Sequence, residues 1–222
     1  TDFLALAGPK VAGERDHELV ETVLSQMAGA ISRFVPEEQK AAEAHRFFQL
    51  CADTLGRVDD PDLKIIWART LFGVAINPDD IVHTGEMADG AITIPGLTID
   101  QDMRWTIAAH HVAYGIEGGW ARAEAERERD RSDRGQRAFL RCQISRPDAD
   151  VKQDAWERFH DGRGFGSLHM TGAAMSGFNW WAQADLLEPY TERFFEAVTG
   201  VFEREDSQFA SRYFGALFPG FR

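Results

Sequence analysis

The sequence is poor in cysteine, with only Cys51 and Cys142 among 222 residues. The two lie far apart, in segments with helical periodicity, so they indicate neither a disulfide framework nor a metal ribbon. Their scarcity favours a reducing compartment, and we predict a cytoplasmic location. No signal peptide is visible in the residues present.

Positive charge is also in short supply. Lys and Arg number 24 against 36 Asp and Glu, which gives a formal net charge of −12. Binding to a phosphate backbone or to an anionic membrane surface depends on clustered Lys and Arg, so neither partner is expected. The longest apolar stretch, Ile65 to Ile76, is interrupted by Arg69 and is too short to span a bilayer. Hydrophobic residues nevertheless make up 44% of the chain, which excludes wholesale disorder.

Strand patterns are nearly absent. Residues 91–94 look locally strand-like, but Pro95-Gly96 cuts this run, and we predict a loop over residues 89–99. Elsewhere apolar residues recur every three or four positions, which predicts about ten or eleven helices joined by short turns. The predicted fold class is all-α, with antiparallel helix pairs stacked in series as in an α-solenoid. A closed helical bundle is the alternative.

Several residues predict where helices begin and which face is buried. Helix starts are expected at Asp60-Pro61, Asp100, Ser132-Asp133 and Pro147. Predicted apolar stripes comprise Leu19, Val23, Met27, Ala30 and Phe34; Ala44, Phe47, Cys51 and Leu55; and Leu187, Tyr190, Phe194, Val198 and Val201. The segment 120–134 is rich in Glu and Arg and is interpreted as a solvated helix with i,i+3 ion pairs.

The seven histidines do not form a metal-ligand pattern. His17-Glu18 begins like H-E-x-x-H, but Glu21 stands where the second imidazole is required, so surface charge is predicted there. His110 and His111 are adjacent and diverge on a helix, and His110 is expected as a wall or surface residue. His160 and His169 flank a glycine-rich loop and could meet, but no third ligand is nearby.

Other candidate chemical groups also lack the context that they would need. The loop Gly162–Gly166 lies between helices rather than after a strand, so it is expected to be a connector and not a phosphate site. Three serines, Ser145, Ser167 and Ser176, have no nucleophile-elbow sequence around them. The aromatic group Phe178, Trp180 and Trp181 could stack a ligand, but helix packing is the preferred interpretation. We therefore assign no catalytic, metal-binding or substrate-binding residue.

A set of ordered motifs in the second half resembles a known family. The motifs are D-Q-D-M-R-W at Asp100–Trp105, R-P-D-A-D-V-K-Q-D-A-W at Arg146–Trp156, D-L-L-E-P-Y at Asp185–Tyr190, Phe194-Phe195 and L-F-P at Leu217–Pro219. Their order and spacing are similar to those of the C-terminal helical domain of M1-type zinc aminopeptidases, in the actinobacterial style of aminopeptidase N.

The resemblance implies a superhelix of HEAT/armadillo-like helix pairs that closes over a separate catalytic domain and shapes its peptide chamber. It implies that residues 1–222 form one helical-repeat domain within a longer polypeptide. The family's H-E-x-x-H and G-A-M-E-N motifs are absent, and residues 172–176 match the latter only by chance. Zinc is therefore expected in the parent enzyme's catalytic domain and no cofactor in this part. The expected partners are that domain and peptide substrates. The alternative function is a stand-alone helical-repeat scaffold that binds a peptide or protein without hydrolysis.

Overall fold

A computed structural model describes residues 2–160 and 164–220. Within these residues the secondary structure consists of twelve α-helices and one 3-10 helix, with no strand, so the all-α prediction is confirmed. The chain groups into two compact units, Thr1–His110 and His111–Arg222, and the boundary falls inside a helix. No helix among the described residues has both the length and the apolar character needed to cross a bilayer.

The first unit is built from six helices. They are α1 (Asp2–Val11), α2 (His17–Phe34), α3 (Glu37–Leu55), α4 (Pro61–Val74), α5 (Pro78–Ala88) and α6 (Gln101–Ala113), whose last residues belong to the second unit. Consecutive helices α1 to α4 pack on one another, and α2 also packs directly on α4. Contacts between consecutive and alternate helices are those of helix pairs stacked in series.

The second unit repeats this arrangement. It contains α7 (Gly119–Arg129), α8 (Asp133–Ser145), α9 (Ala149–His160), α10 (Leu168–Ser176), the 3-10 helix (Trp181–Gln183), α11 (Ala184–Arg204) and α12 (Ser207–Leu217). Helix α10 packs on both α8 and α12, while α7, α9 and α11 each contact a neighbouring helix among these three. The core of this unit is rich in aromatic side chains, including Trp156, Phe178, Tyr190, Phe194 and Tyr213.

Side-chain caps explain where several helices begin. The carboxylate of Asp60 accepts hydrogen bonds of 2.9 Å from the backbone N–H groups of Asp62 and Leu63, and Pro61 occupies the first turn. These bonds satisfy N–H groups that have no partner inside the helix. The same kind of cap is made by Asp16, Asp100, Ser132, Asp148, Ser167 and Asp206.

The structure corrects three details of the sequence interpretation. Helix α1, which contains Pro9, has no counterpart among the predicted helices. Helix α9 begins at Ala149 rather than at Pro147, because Asp148 provides the cap. The buried face of α2 is Val20, Leu24, Met27 and Ile31, whereas Leu19 and Phe34 of the predicted stripe are 48% and 79% exposed. Both sets have helical spacing, so periodicity alone could not distinguish them.

The predicted loop is confirmed, and residues 89–100 form no strand. Gly96 takes a φ of +77°, a conformation that favours glycine. Two long side chains fix the loop: Lys64 donates 2.7 Å to the carbonyl of Pro95, and Arg104 donates 2.6 Å to that of Ile99. These contacts supply hydrogen-bond partners to backbone groups that have no secondary structure.

Candidate functional site: the Lys152 cluster

The motif that includes Lys152, Ala155 and Trp156 lies on α9. The three residues are spaced i, i+3 and i+4, so they share one face of the helix. All three are buried, with exposed fractions of 0%, 0% and 8%. Together with Phe178 and Tyr190, which pack around Trp156, Lys152 and Trp156 form what we call the Lys152 cluster.

The Lys152 amine is enclosed by backbone carbonyl groups. Its Nζ donates hydrogen bonds of 2.7 Å to the carbonyl oxygen of Ile144, 2.8 Å to that of Phe178 and 3.4 Å to that of Gly177. Three acceptors match the three donors of a protonated amine. Burial lowers the pKa of Lys152 to about 7, because the charged form loses its hydration. A single side chain thus links the last turn of α8 to the residues that follow α10.

The Trp156 ring joins three elements of the second unit. Its centroid lies 5.3 Å from that of Tyr190 on α11, 5.9 Å from that of Phe178 and 6.4 Å from that of Tyr213 on α12. Phe178 and Tyr190 meet edge to face at 5.0 Å. Such aromatic contacts add about 0.5–1.5 kcal/mol each beyond the burial of apolar area. The motifs at Arg146–Trp156 and Asp185–Tyr190 therefore meet in one core.

Trp180 is held by hydrogen bonds beside this core. Its Nε1–H lies 2.9 Å from Ser145 Oγ and 3.1 Å from the carbonyl oxygen of Gly177. The neighbouring Gln183 is buried and donates to the carbonyl oxygens of Ala113 and Ser145 at 2.7 and 2.8 Å. Phe178 is fully buried, whereas Trp180 and Trp181 are half-buried. Helix packing accounts for Phe178, as the sequence indicated.

The serines singled out from the sequence all have structural hydrogen bonds. Ser145 Oγ donates 2.8 Å to the carbonyl oxygen of Arg141 and also accepts from Trp180. Ser167 caps α10 by accepting from the N–H of Met170, and Ser176 donates to the carbonyl of Ala173. Each of these hydroxyl groups therefore contributes to helix capping or to hydrogen bonding along a helix.

The two histidines that flank the glycine-rich loop, His160 and His169, differ in their hydrogen bonding and exposure. His160 Nδ1 donates 2.7 Å to the carbonyl oxygen of Trp156, and its Nε2 accepts from the Tyr213 hydroxyl at 2.9 Å. A backbone acceptor on Nδ1 fixes this tautomer, so both ring nitrogens are engaged. His169 lies exposed on α10.

The glycine-rich loop lies partly outside the described residues, since Gly162 and Arg163 fall there. Gly164 and Gly166 have φ values of +52° and +93°, and Phe165 between them is buried. The Arg158 guanidinium stacks 3.8 Å from the Phe165 ring centroid and donates to the carbonyl of Gly164. The part that is described, residues 164–167, leads into α10 and is not helical.

His110, the last residue of the first unit, and His111, the first residue of the second, are both buried, so the surface alternative for His110 is wrong. His110 Nδ1 bonds to the carbonyl of Ala75 at 2.8 Å. His17 is exposed, with Nε2 lying 3.3 Å from Asp60 Oδ1. The potential metal-ligand atoms of His17, Asp60 and Asp62 lie within 4.8 Å of one another. All three residues are exposed, however, and Asp60 already caps α4.

A histidine–aspartate pair escaped the sequence analysis. His45 Nδ1 lies 2.9 and 3.0 Å from the two carboxylate oxygens of Asp80, which is buried, while half of the His45 side chain is exposed. Asn77 Nδ2 donates to Asp80 at 3.1 Å and to the carbonyl of Ala41 at 3.1 Å. The pair ties α3 to α5. Residues 45 and 80 are far apart in sequence, so no local motif points to it.

The charged helix α7 is only partly a solvated face. Of the three predicted i,i+3 pairs, which all lie within the described residues, Glu126–Arg129 and Glu128–Arg131 are present at 2.8 and 2.7 Å, whereas Glu124–Arg127 is not formed. Glu126, however, is only 3% exposed. Arg127, although exposed, stacks on the Phe139 ring at 4.7 Å. The helix therefore also packs on α8.

Comparison with known proteins agrees with this arrangement. The model of the ERAP1-like C-terminal domain matches residues 1–222. The chain is also similar to aminopeptidase N of Streptomyces lividans, with 28% identity over 219 residues. That match covers 98% of this chain but 25% of the relative, so the chain spans about a quarter of the relative's length. The match extends over the whole sequence and includes the motifs that form the Lys152 cluster. The chain belongs to the ERAP1-like C-terminal domain family.

Proposed function

We propose that this chain is the C-terminal helical domain of a zinc-dependent aminopeptidase that removes N-terminal residues from peptides. Family membership over residues 1–222 is the observation that carries the proposal. The similarity to an aminopeptidase N four times as long supports a parent enzyme with further domains. Zinc and the hydrolytic residues belong, in this proposal, to the catalytic domain of the parent, which acts in the cytoplasm.

The proposed role of the chain is to wall the active-site chamber and to control access to it. The hydrogen bonds of Ser145, Ser167, Ser176 and His160 support a part without catalysis, because their donors and acceptors serve the fold. Within each unit, helices packed in series offer a continuous surface, which suits a wall. The proposed partners are the catalytic domain of the same polypeptide and peptide substrates.

The test compares the parent enzyme with a form that lacks residues 1–222. We expect the shortened enzyme to keep zinc and to cleave a single-residue chromogenic amide. We also expect its preference among peptides of different lengths to change, because the wall is missing. If zinc content and peptide selectivity both equal those of the parent, the chain does not control access. Loss of zinc from the shortened form would show that its catalytic part has failed to fold.

A stand-alone binding scaffold is the second candidate, and the exposed phenylalanines of α11 and α12 favour it. The two functions are distinguished by sequencing the gene upstream of the codon for Thr1. An open frame that encodes H-E-x-x-H and G-A-M-E-N supports the aminopeptidase domain. A start codon immediately before Thr1 supports the scaffold.

A further inference from the structure

Four phenylalanines on α11, on α12 and at the residue that follows α12 are unusually exposed. Phe195, Phe202, Phe214 and Phe218 have exposed fractions of 56%, 53%, 45% and 44%. They form a connected row, which we call the Phe face: the ring centroids of Phe195 and Phe218 lie 6.3 Å apart, those of Phe218 and Phe214 5.3 Å, and those of Phe214 and Phe202 6.4 Å. Aromatic residues that cluster outside a core indicate a binding surface.

The Phe face includes a concavity between α11 and α12. A cavity of about 450 Å³ is lined by Val198, Thr199, Phe202, Glu203 and Phe214. Four half-exposed phenylalanines leave roughly 400 Å² of aromatic surface uncovered, given about 150–250 Å² for each side chain. A stable interface between two proteins needs about 800 Å² from each partner. The exposed aromatic surface is therefore about half of one partner's share in such an interface, a size that a single helix covers.

Acidic side chains line one edge of this surface. Glu192, Glu196 and Glu203 are exposed on α11, about 60–100° around the helix from Phe195. Glu203 also lines the cavity itself. None of the three has an ion-pair partner within residues 2–160 and 164–220. An unpaired acidic edge beside an apolar stripe is complementary to a helix whose apolar stripe is flanked by Lys or Arg.

We propose that the Phe face docks a basic-edged amphipathic helix that belongs to the remaining part of the parent polypeptide. This inference rests on the proposed function, since it needs a longer chain. The relative's length leaves three quarters of such a polypeptide outside this chain. A second copy is a poorer occupant, because each copy carries a net charge of −12 and the apolar area is half of what a stable dimer needs.

The test is photo-crosslinking in the full parent enzyme. A benzophenone amino acid replaces Phe202, and a matched control replaces Ala125, which is exposed on the charged helix α7. We expect the probe at residue 202 to join a segment of the same chain with apolar residues at helical spacing and Lys or Arg beside them. A crosslink to a second copy, to an acidic segment or to nothing overturns the proposal, as does an equal crosslink from residue 125.

A second measurement separates docking from general damage. The double variant F202D/F214D of the parent is compared with F34D, since Phe34 is 79% exposed but lies on α2. We expect at least tenfold faster limited proteolysis in F202D/F214D and no change in F34D. Equal rates in both overturn the proposal. Peptidase activity of the parent is assayed separately. If the parent lacks peptidase activity but shows the intramolecular crosslink, docking is supported and the proposed function is wrong.

Discussion

The Lys152 amine donates a 2.8 Å hydrogen bond to the carbonyl oxygen of Phe178, which lies 26 residues further along the chain. The same amine bonds to Ile144, eight residues back. One fully buried lysine therefore sets the distance between the end of α8 and the segment that leads to α11. The motif lysine of the family resemblance thus has a structural role in this core.

Replacement of Lys152 by methionine should destabilise the fold. Methionine fills similar space but leaves the carbonyl oxygens of Ile144, Gly177 and Phe178 without this donor, which costs about 2–4 kcal/mol. Chemical denaturation of the chain gives the free energy of unfolding. The matched control is Lys10→Met, because Lys10 is exposed on α1. A loss below about 0.5 kcal/mol for Lys152→Met would contradict the structural role.

The stability of the wild-type chain should rise with pH just above neutrality. The folded-state pKa of Lys152 is lowered to about 7 from 10.5, so between these values the unfolded chain binds more protons than the folded chain. The free energy of unfolding then increases by up to about 1.4 kcal/mol per pH unit. Denaturation between pH 7 and about 8.5 tests this, and the thiols of the unfolded chain, which also titrate near pH 8.5, contribute equally to wild type and to Lys152→Met. The difference between wild type and Lys152→Met isolates the lysine, and a difference independent of pH would contradict it.

Two glycines should respond oppositely to alanine. A Cβ at Gly177 would collide with the carbonyl oxygen of Arg141, so Gly177→Ala should destabilise by about 2 kcal/mol or more. Gly215 lies within α12 with nothing within 4 Å of an added Cβ. Gly215→Ala should therefore stabilise by about 0.5–1 kcal/mol. Thermal unfolding of both variants measures the two shifts. If Gly177→Ala is neutral or stabilising, the close approach of α8 to Gly177 is wrong.

Both cysteines should be unreactive in the folded chain. Cys51 and Cys142 are fully buried, and burial raises the pKa of the Cys142 thiol to about 12 and raises that of Cys51 as well. The reactive thiolate is therefore scarce at pH 8. A thiol-specific disulfide reagent should label neither cysteine until denaturant is added, and then both. Rapid labelling of the native chain would show that the units open readily.

The sequence predicted the helices well where local chemistry decides their ends. Asp60-Pro61 and Ser132-Asp133 cap helices at the expected positions, since a cap depends on residues close in sequence. The predicted apolar stripe of α11 is confirmed at Leu187, Tyr190 and Phe194, which are all buried.

Long-range relationships were not predictable in the same way. The buried face of α2 was wrongly placed, because two sets of apolar residues share helical spacing and only tertiary packing selects one. The burial of Lys152 ran against the usual exposure of lysine. Its acceptors come from residues 144, 177 and 178, and their convergence is a property of the fold. The pair His45 and Asp80 was missed for the same reason.

The environment of Lys152 also has an electrostatic meaning. Ile144 lies in the last turn of α8, and Gly177 is the C-cap of α10. The carbonyl ends of helices carry about half a negative charge each. The buried ammonium therefore has two helix dipoles as its counterion, and no carboxylate forms an ion pair with it within the described residues. A lysine can thus be buried here without a carboxylate partner, and any motion that separates α8 from α10 breaks the pairing of its amine with the two helix ends.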